Sequence, residues 1–212
     1  MIYYTQIRKG MNHMRKLITL FLALTLLLGV TAFAAETAAP APEAEAAAED
    51  ALFFEGPYLL TSAGQSADFQ MVKTMLVKNK VENYKEDALL KPETVAEDTG
   101  TIIIVIGGSS KGLGAAGIDA NQELERIQSV IDFAKEKEIA ILAMHIGGTA
   151  RRGELSDKFI EPVVAAADAC IVVEDANTAD KLFDTLAEKY GVPTTYVANK
   201  SAVLTALQEV LK

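Results

Sequence analysis

From residue 52 onward, short apolar runs alternate along the chain with longer segments in which apolar residues recur every three or four positions. Thr101–Ile106 and residues 139–146 are continuous apolar runs, the pattern typical of strands covered on both faces. Residues 66–79 and 119–137 carry apolar positions at helical spacing, which predicts amphipathic helices. Other short apolar runs predict strands at 58–62, 81–84, 169–173 and 194–198. Other segments with helical spacing predict helices at 155–167, 178–190 and 201–211.

Strands that alternate with helices of this length predict right-handed crossovers and a parallel sheet. The expected fold is a three-layer α/β sandwich with a mostly parallel sheet of five or six strands, flavodoxin-like or Rossmann-like. We favour the strand order 2-1-3-4-5, because the first and third strands are followed by the loops richest in glycine and serine. In open sheets of this kind, ligands bind beyond the carboxyl ends of the strands, where the strand order reverses.

The first fifty residues have a different composition. Basic residues precede an apolar run over residues 17–30, and an Ala-x-Ala end at Ala32 and Ala34 follows the run, which predicts a secretory signal peptide over residues 1–35. Residues 36–51 are mostly Ala, Pro and Glu and cannot bury enough surface to fold, so we expect a disordered tether. Residues 52–212 then form a single α/β domain.

The predicted signal peptide determines where the protein is expected to act. Once the signal is cleaved, the protein should be secreted or extracytoplasmic, with no stable membrane insertion. An uncleaved anchor stays open as an alternative, since residues 17–35 are just long enough to span a bilayer.

Charge and composition exclude several classes of function. The whole chain carries a formal net charge of −9, and residues 51–212 carry 24 acidic and 16 basic side chains. A general nucleic-acid binder would need a basic face, so nucleic acid is not an expected partner. With one cysteine and two histidines in the chain, neither a disulfide framework nor a Cys/His zinc site is expected. We expect no metal and no cofactor.

Three predicted loops at the carboxyl edge are rich in glycine, hydroxyl-bearing and basic side chains. Glycine lets a backbone approach a ligand closely, while hydroxyls and cations donate hydrogen bonds to ligand oxygens. Lys111, Arg151 and Arg152 are expected to converge with backbone N–H groups near Gly64 and Ser66, giving a local positive potential that favours a small anionic or polar ligand. The candidate ligand-binding residues are Ser62, Gly64, Gln65, Ser66, Gly108, Ser109, Ser110, Lys111, His145, Arg151, Arg152 and Glu174.

A second hypothesis is a serine hydrolase. The segment from Gly108 to Gly112 fits the G-x-S-x-G elbow, with Ser110 as nucleophile and His145 as base. An elbow passes directly from strand to helix, whereas residues 113–118 are expected to lie between the strand and its helix, so this reading is less favoured.

Two other chemistries are rejected. The glycines that follow the third strand match the G-x-x-x-G-x-G motif of short-chain dehydrogenases, and Tyr196 and Lys200 have the spacing of that family's catalytic pair. That pair belongs on a helix, whereas Tyr196 lies in a predicted strand. A Cys170–His145 pair is excluded because the two residues are expected at opposite ends of neighbouring strands, roughly 15 Å apart.

Three segments carry a resemblance to a known family: GGSSKGLGAAGID, MHIGGTARRGELSDKFI and ADACIVVEDAN. They resemble a family of small secreted bacterial α/β domains of unknown function. The resemblance implies an exported Rossmann-like domain and supplies no catalytic residues. The leading hypothesis is therefore an exported domain that binds a small anionic or polar ligand; the alternatives are the serine hydrolase and a non-catalytic interaction module at the cell surface.

Overall fold

The computed structural model describes residues 52–212, so the predicted signal peptide and tether lie outside the described residues. The strands are β1 (Tyr58–Ala63), β2 (Tyr84–Glu86), β3 (Thr101–Ile106), β4 (Ala140–His145), β5 (Ala169–Val173) and β6 (Thr194–Val197). They form one parallel sheet in the order β2-β1-β3-β4-β5-β6. This confirms the expected fold class and the order 2-1-3-4-5, with the sixth strand added beside β5.

Six helices accompany the strands of the described part of the chain. They are α1 (Asp68–Lys78), α2 (Ser110–Ala116), α3 (Ala120–Glu136), α4 (Glu154–Val164), α5 (Leu182–Tyr190) and α6 (Lys200–Val210). Single turns of 3₁₀ helix lie at Pro92–Thr94, Gly148–Arg151 and Glu174–Asn177.

The sheet lies between two helical layers. α3, α4 and α5 share a buried apolar cluster with alternate strand residues, among them Ile102, Ile104 and Ile106 of β3. The intervening residues Ile103 and Val105 are also buried and point to the opposite face, which α1 and α6 cover. Burial on both faces explains why the inner strands are continuous apolar runs.

Side-chain caps define the starts of α3 and α6. Asp119 accepts hydrogen bonds from the N–H groups of Asn121 and Gln122, and the Gln122 side chain accepts from the Asp119 N–H. This capping box begins α3 at its observed first residue. Asn199 caps α6 in the same way, by accepting from Ser201 and Ala202.

The two ends of the described chain are joined in a terminal clasp made by Phe54, Tyr58, Leu211 and Lys212. Phe54 forms a parallel bridge with Leu211. The Tyr58 hydroxyl lies within hydrogen-bond distance of the Phe54 and Lys212 carbonyl oxygens and accepts from the Lys212 N–H at 2.8 Å. Because Tyr58 is the first residue of β1, the clasp lies at the amino end of that strand.

The prediction that residues 113–118 separate β3 from its helix is wrong, because α2 begins at Ser110. The Ser109 side chain caps this helix by accepting from the Gly112 N–H at 3.0 Å, and Leu113 is buried beneath it. A cap and one buried apolar contact therefore outweigh the low helix propensity of the glycines.

Smaller differences concern element ends. β2 forms three residues later than the predicted 81–84 and pairs Tyr84 with Tyr58. α4 contains Pro162 and ends at Val164 rather than at residue 167.

The helix predicted at 178–190 starts only at Leu182, as α5. It starts there because Asn177 accepts hydrogen bonds from the N–H groups of Phe183 and Asp184.

None of the helices in residues 52–212 is both long enough and apolar enough to cross a membrane.

Candidate functional site

Four side chains meet beyond the carboxyl ends of the strands, and we call them the Asp68 cluster: Ser66, Asp68, Arg151 and Lys200. Arg151 Nε donates to Asp68 Oδ2 at 3.2 Å, and Lys200 Nζ lies 3.5 Å from Oδ1. The Ser66 hydroxyl lies 3.3 Å from Oδ2. Both carboxylate oxygens are therefore occupied by donors.

The sheet order explains why residues so distant in sequence converge. Ser66 follows β1, Arg151 follows β4 and Lys200 begins α6 after β6, and parallel strands bring their carboxyl ends to one edge. Glycines make the approach close. A Cβ atom at Gly107 would lie 2.7 Å from Ser66 Oγ, and one at Gly147 would lie 2.6 Å from Asp68 Oδ2.

The charges of the cluster are unequally exposed. The Asp68 side chain is 1% exposed, whereas the side chains of Arg151 and Lys200 are 32% and 44% exposed. Two cations face one buried carboxylate, so the three groups carry a net charge of +1. Within the described residues, Arg151 Nη1 and Nη2 make no hydrogen bond. The cluster therefore presents an open guanidinium fork and an ammonium group, both suited to an oxyanion.

The polar groups of the loop after β1 bond to the protein interior and are not open to a ligand. The Gly64 N–H donates to Glu123 Oε1 at 2.8 Å, and Gln65 Nε2 donates to the Ala88 carbonyl and to Glu123. Ser62 Oγ accepts from the Gln65 N–H at 3.1 Å. The structure thus directs Ser62, Gly64 and Gln65 inward.

The loop after β3 divides into structural and exposed residues. The Gly108 N–H donates to Ser156 Oγ at 2.9 Å, and Ser109 is the cap of α2. Ser110 and Lys111 are exposed, and neither side chain has a hydrogen-bond partner in the described part of the chain. Lys111 can therefore add positive charge near this edge without being fixed to the Asp68 cluster.

His145 is packed inside the protein at the end of β4. Its ring is fully buried, with its centroid 5.0 Å from that of Phe183. Nε2 lies 3.1 Å from the Arg151 carbonyl oxygen, an acceptor, so Nε2 carries the proton. Nδ1 is buried and has no partner among residues 52–212. Burial, which disfavours the charged ring, lowers the pKa of His145 below its ordinary value.

Arg152 is engaged in a different set of contacts from Arg151. It pairs with Asp180 at 2.7 Å and Asp157 at 2.9 Å, donates to the Ala176 carbonyl, and stacks on Phe183. Hydrogen bonds to Asp180 and Asp157 raise the pKa of Arg152 above the ordinary arginine value. Arg152 thus joins the loops after β4 and β5 and does not enter the Asp68 cluster.

The remaining predicted site residue, Glu174, is exposed at the end of β5.

The hydrolase hypothesis gains one feature and lacks another. Strand, turn and helix follow directly around Ser110, as in an elbow. However, no hydrogen bond joins Ser110 to His145 in residues 52–212, and the His145 ring is buried against Phe183.

The described residues hold no group of three or more His, Cys, Asp and Glu side chains placed to bind a metal ion.

The expected separation of Cys170 and His145 is wrong. β5 is shifted along β4, so that Cys170 pairs with Ala143 and Val172 pairs with His145. The two residues are then about 8 Å apart, from strand spacing and rise. Cys170 is nonetheless buried, and burial raises its pKa to about 12, which keeps the thiol protonated.

Sequence reasoning missed Asp68, Lys200, Glu123 and Arg126. Asp68 was signalled only as an acid in the first turn of a helix, and Lys200 only as part of the rejected Tyr-x-x-x-Lys spacing. Glu123 and Arg126 have the i,i+3 spacing of an ordinary surface pair, yet Glu123 is fully buried.

Comparison with known proteins gives a family. The model of the family described as Domain of unknown function (DUF6305) matches residues 55–211. No curated protein and no solved structure matches the chain significantly. The family match confirms the resemblance to an uncharacterised family, while secretion and bacterial origin stay predictions.

Proposed function

The chain belongs to the DUF6305 family, a domain of unknown function, and from its own geometry we propose that it is an exported α/β domain that binds a small anion at the Asp68 cluster. The observation that supports this proposal is the unequal exposure of the charges: two half-exposed cations surround one carboxylate that is 1% exposed. An anion arriving from solvent meets the cations first.

Burial of the carboxylate also pre-organises the site. Asp68 binds Arg151 through Nε and makes no bond to its terminal nitrogens, Nη1 and Nη2. A guanidinium already oriented loses less conformational freedom when it binds an oxyanion. The same carboxylate holds Lys200 on the other side. A net charge of +1 at this point, on a domain of net negative charge, favours small anions over cationic or neutral ligands.

Binding is favoured over catalysis because the cluster lacks a nucleophile beside a free base. Ser66 is hydrogen-bonded to Asp68, and His145, the one histidine in the described residues, is buried. The protein therefore holds its ligand by charge and geometry.

The proposal is tested by thermal unfolding with phosphate, sulfate or acetate at an ionic strength fixed with chloride. The melting temperature should rise with anion concentration. Arg151→Gln should weaken the affinity about tenfold to a hundredfold. Lys78→Gln, which removes the same charge from the last turn of α1, should leave it unchanged.

A wild-type protein that shows no shift, or equal shifts in both variants, would remove the anion site and leave the interaction module as the better hypothesis.

Export is tested separately by the intact mass of the mature protein. The chain should begin near Ala35 or Glu36, whereas a mass that retains residues 17–30 would contradict cleavage.

A further inference from the structure

An exposed methionine adjoins the Asp68 cluster. Met71 lies three residues after Asp68 on α1, which places the two side chains on the same side of the helix. Its Sδ atom is 3.6 Å from Lys200 Nζ. The cationic end of the cluster is therefore in direct contact with an apolar side chain.

Exposure of this side chain is unusual in the described part of the chain. Among residues 52–212, the large apolar side chains that are exposed are those of Met71 and Val77, at 39% and 57%. Val77 is six residues further along α1, at the end of the helix remote from the cluster. Of the two, Met71 alone can contact a molecule bound at Arg151 and Lys200. Methionine is a flexible, polarisable side chain that adapts to varied apolar partners.

The charge of the cluster limits the ligand's charge. Asp68, Arg151 and Lys200 together carry +1, which one negative charge neutralises. A carboxylate is a planar anion of that charge and matches the fork of Arg151.

Resting on the anion site proposed above, we propose that the ligand is a monocarboxylate with an apolar body. Its carboxylate lies on Arg151 and Lys200, and its apolar part lies over Met71.

The test is a chain-length series of acetate, butyrate, hexanoate and octanoate, with inorganic phosphate as the anion without an apolar part. Binding is measured by titration calorimetry with the full protein. Affinity should rise about twofold to fourfold for each added methylene that reaches the apolar surface.

Met71→Ser should flatten this dependence on chain length, so that most of the gain in affinity from acetate to octanoate is lost. Val77→Ser, an equal change at the other exposed apolar position of the helix, should keep the wild-type dependence. Circular dichroism of each variant verifies that the fold is retained.

The outcomes separate the two proposals. If phosphate and acetate bind but affinity does not rise with chain length, the apolar contact is overturned and the anion site stands. If Met71→Ser and Val77→Ser change the series equally, Met71 is not the contact and the inference is overturned. If no anion in the series binds, both proposals fail.

Discussion

The Gly64 N–H donates to Glu123 Oε1 at 2.8 Å, so the loop after β1 is held by a helix residue 59 positions later in the chain. Arg126 lies beside Glu123 at 2.8 Å and is itself 9% exposed. It also donates to the carbonyl oxygens of Leu90 and Ser62. The pair is thus buried with its hydrogen bonds satisfied, the condition under which buried charges are tolerated.

Glu123→Gln should destabilise the fold by about 3–5 kcal/mol, because it leaves the Arg126 guanidinium buried without a counter-charge. Urea unfolding followed by circular dichroism measures the loss. Glu125→Gln, an exposed acid of the same helix, should change the free energy of unfolding by less than about 0.5 kcal/mol. Equal losses in the two variants would contradict the structural role of the buried pair.

Asp68→Asn should separate stability from binding. The amide keeps the shape but weakens the bonds to Arg151 and Lys200, which should cost about 1–3 kcal/mol of unfolding free energy. The same change raises the charge of the cluster by one, so phosphate should bind more tightly than to wild type. Calorimetry and urea unfolding on one preparation measure both effects. Weaker phosphate binding in this variant would mean that holding Arg151 and Lys200 in place contributes more to the affinity than the added positive charge does.

Two glycines of α2 should respond oppositely to alanine. A Cβ at Gly112 would lie 1.9 Å from the Gln65 carbonyl oxygen, so Gly112→Ala forces α2 away from the loop after β1 and should cost about 1–3 kcal/mol. A Cβ at Gly114 meets nothing within 4 Å, so Gly114→Ala should stabilise by about 0.5–1 kcal/mol. Thermal unfolding of both variants measures the contrast. A stabilising Gly112→Ala would show that the two segments are not in close contact.

Acid should weaken the fold through His145. Burial lowers its pKa in the folded protein below the ordinary value of 6.5, although the Arg151 carbonyl and Asp68 oppose this and Arg152 reinforces it. The unfolded chain therefore binds a proton that the folded chain excludes. Stability from this group is complete above about pH 6.5 and is lost as pH falls below it. Urea midpoints from pH 7.5 to 5 should fall less steeply in His145→Gln. If the urea midpoints of wild type and His145→Gln fall equally with pH, the buried His145 ring is not held neutral.

A fluorophosphonate probe should not label the native protein. Ser110 is exposed but has no hydrogen bond to His145, and that ring's Nε2 atom lies against the Arg151 carbonyl oxygen. Without a hydrogen bond to a base, the hydroxyl is an ordinary alcohol. Mass spectrometry after incubation measures labelling. Labelling that disappears in Ser110→Ala would restore the serine hydrolase.

The layered fold could be predicted from sequence because each inner strand, such as Thr101–Ile106, is a run that only a doubly covered strand explains. The sequence did not predict α2, because its glycines have low helix propensity. The hydroxyl of Ser109 and the buried side chain of Leu113 stabilise this glycine-rich helix. Propensity describes the average environment of a residue, and a cap is a particular contact.

The site was less predictable, since its geometry depends on tertiary structure. Lys200 and Asp68 are 132 residues apart in sequence. Arg151 and Arg152 are neighbours, yet one turns to Asp68 and the other to Asp157 and Asp180. Ser66 and Arg151 lie at the predicted edge of the sheet, while the choice of their partners depends on side-chain directions that spacing does not encode.

The terminal clasp has a practical consequence for how the protein can be mounted. Phe54 and Lys212 meet at the amino end of β1, and the Asp68 cluster lies beyond its other end, about 20 Å away for a six-residue strand. A surface, bead or fluorescent reporter joined through Lys212 therefore leaves the cluster facing outward. Immobilised in that orientation, the domain would keep the proposed anion site open to the flowing sample.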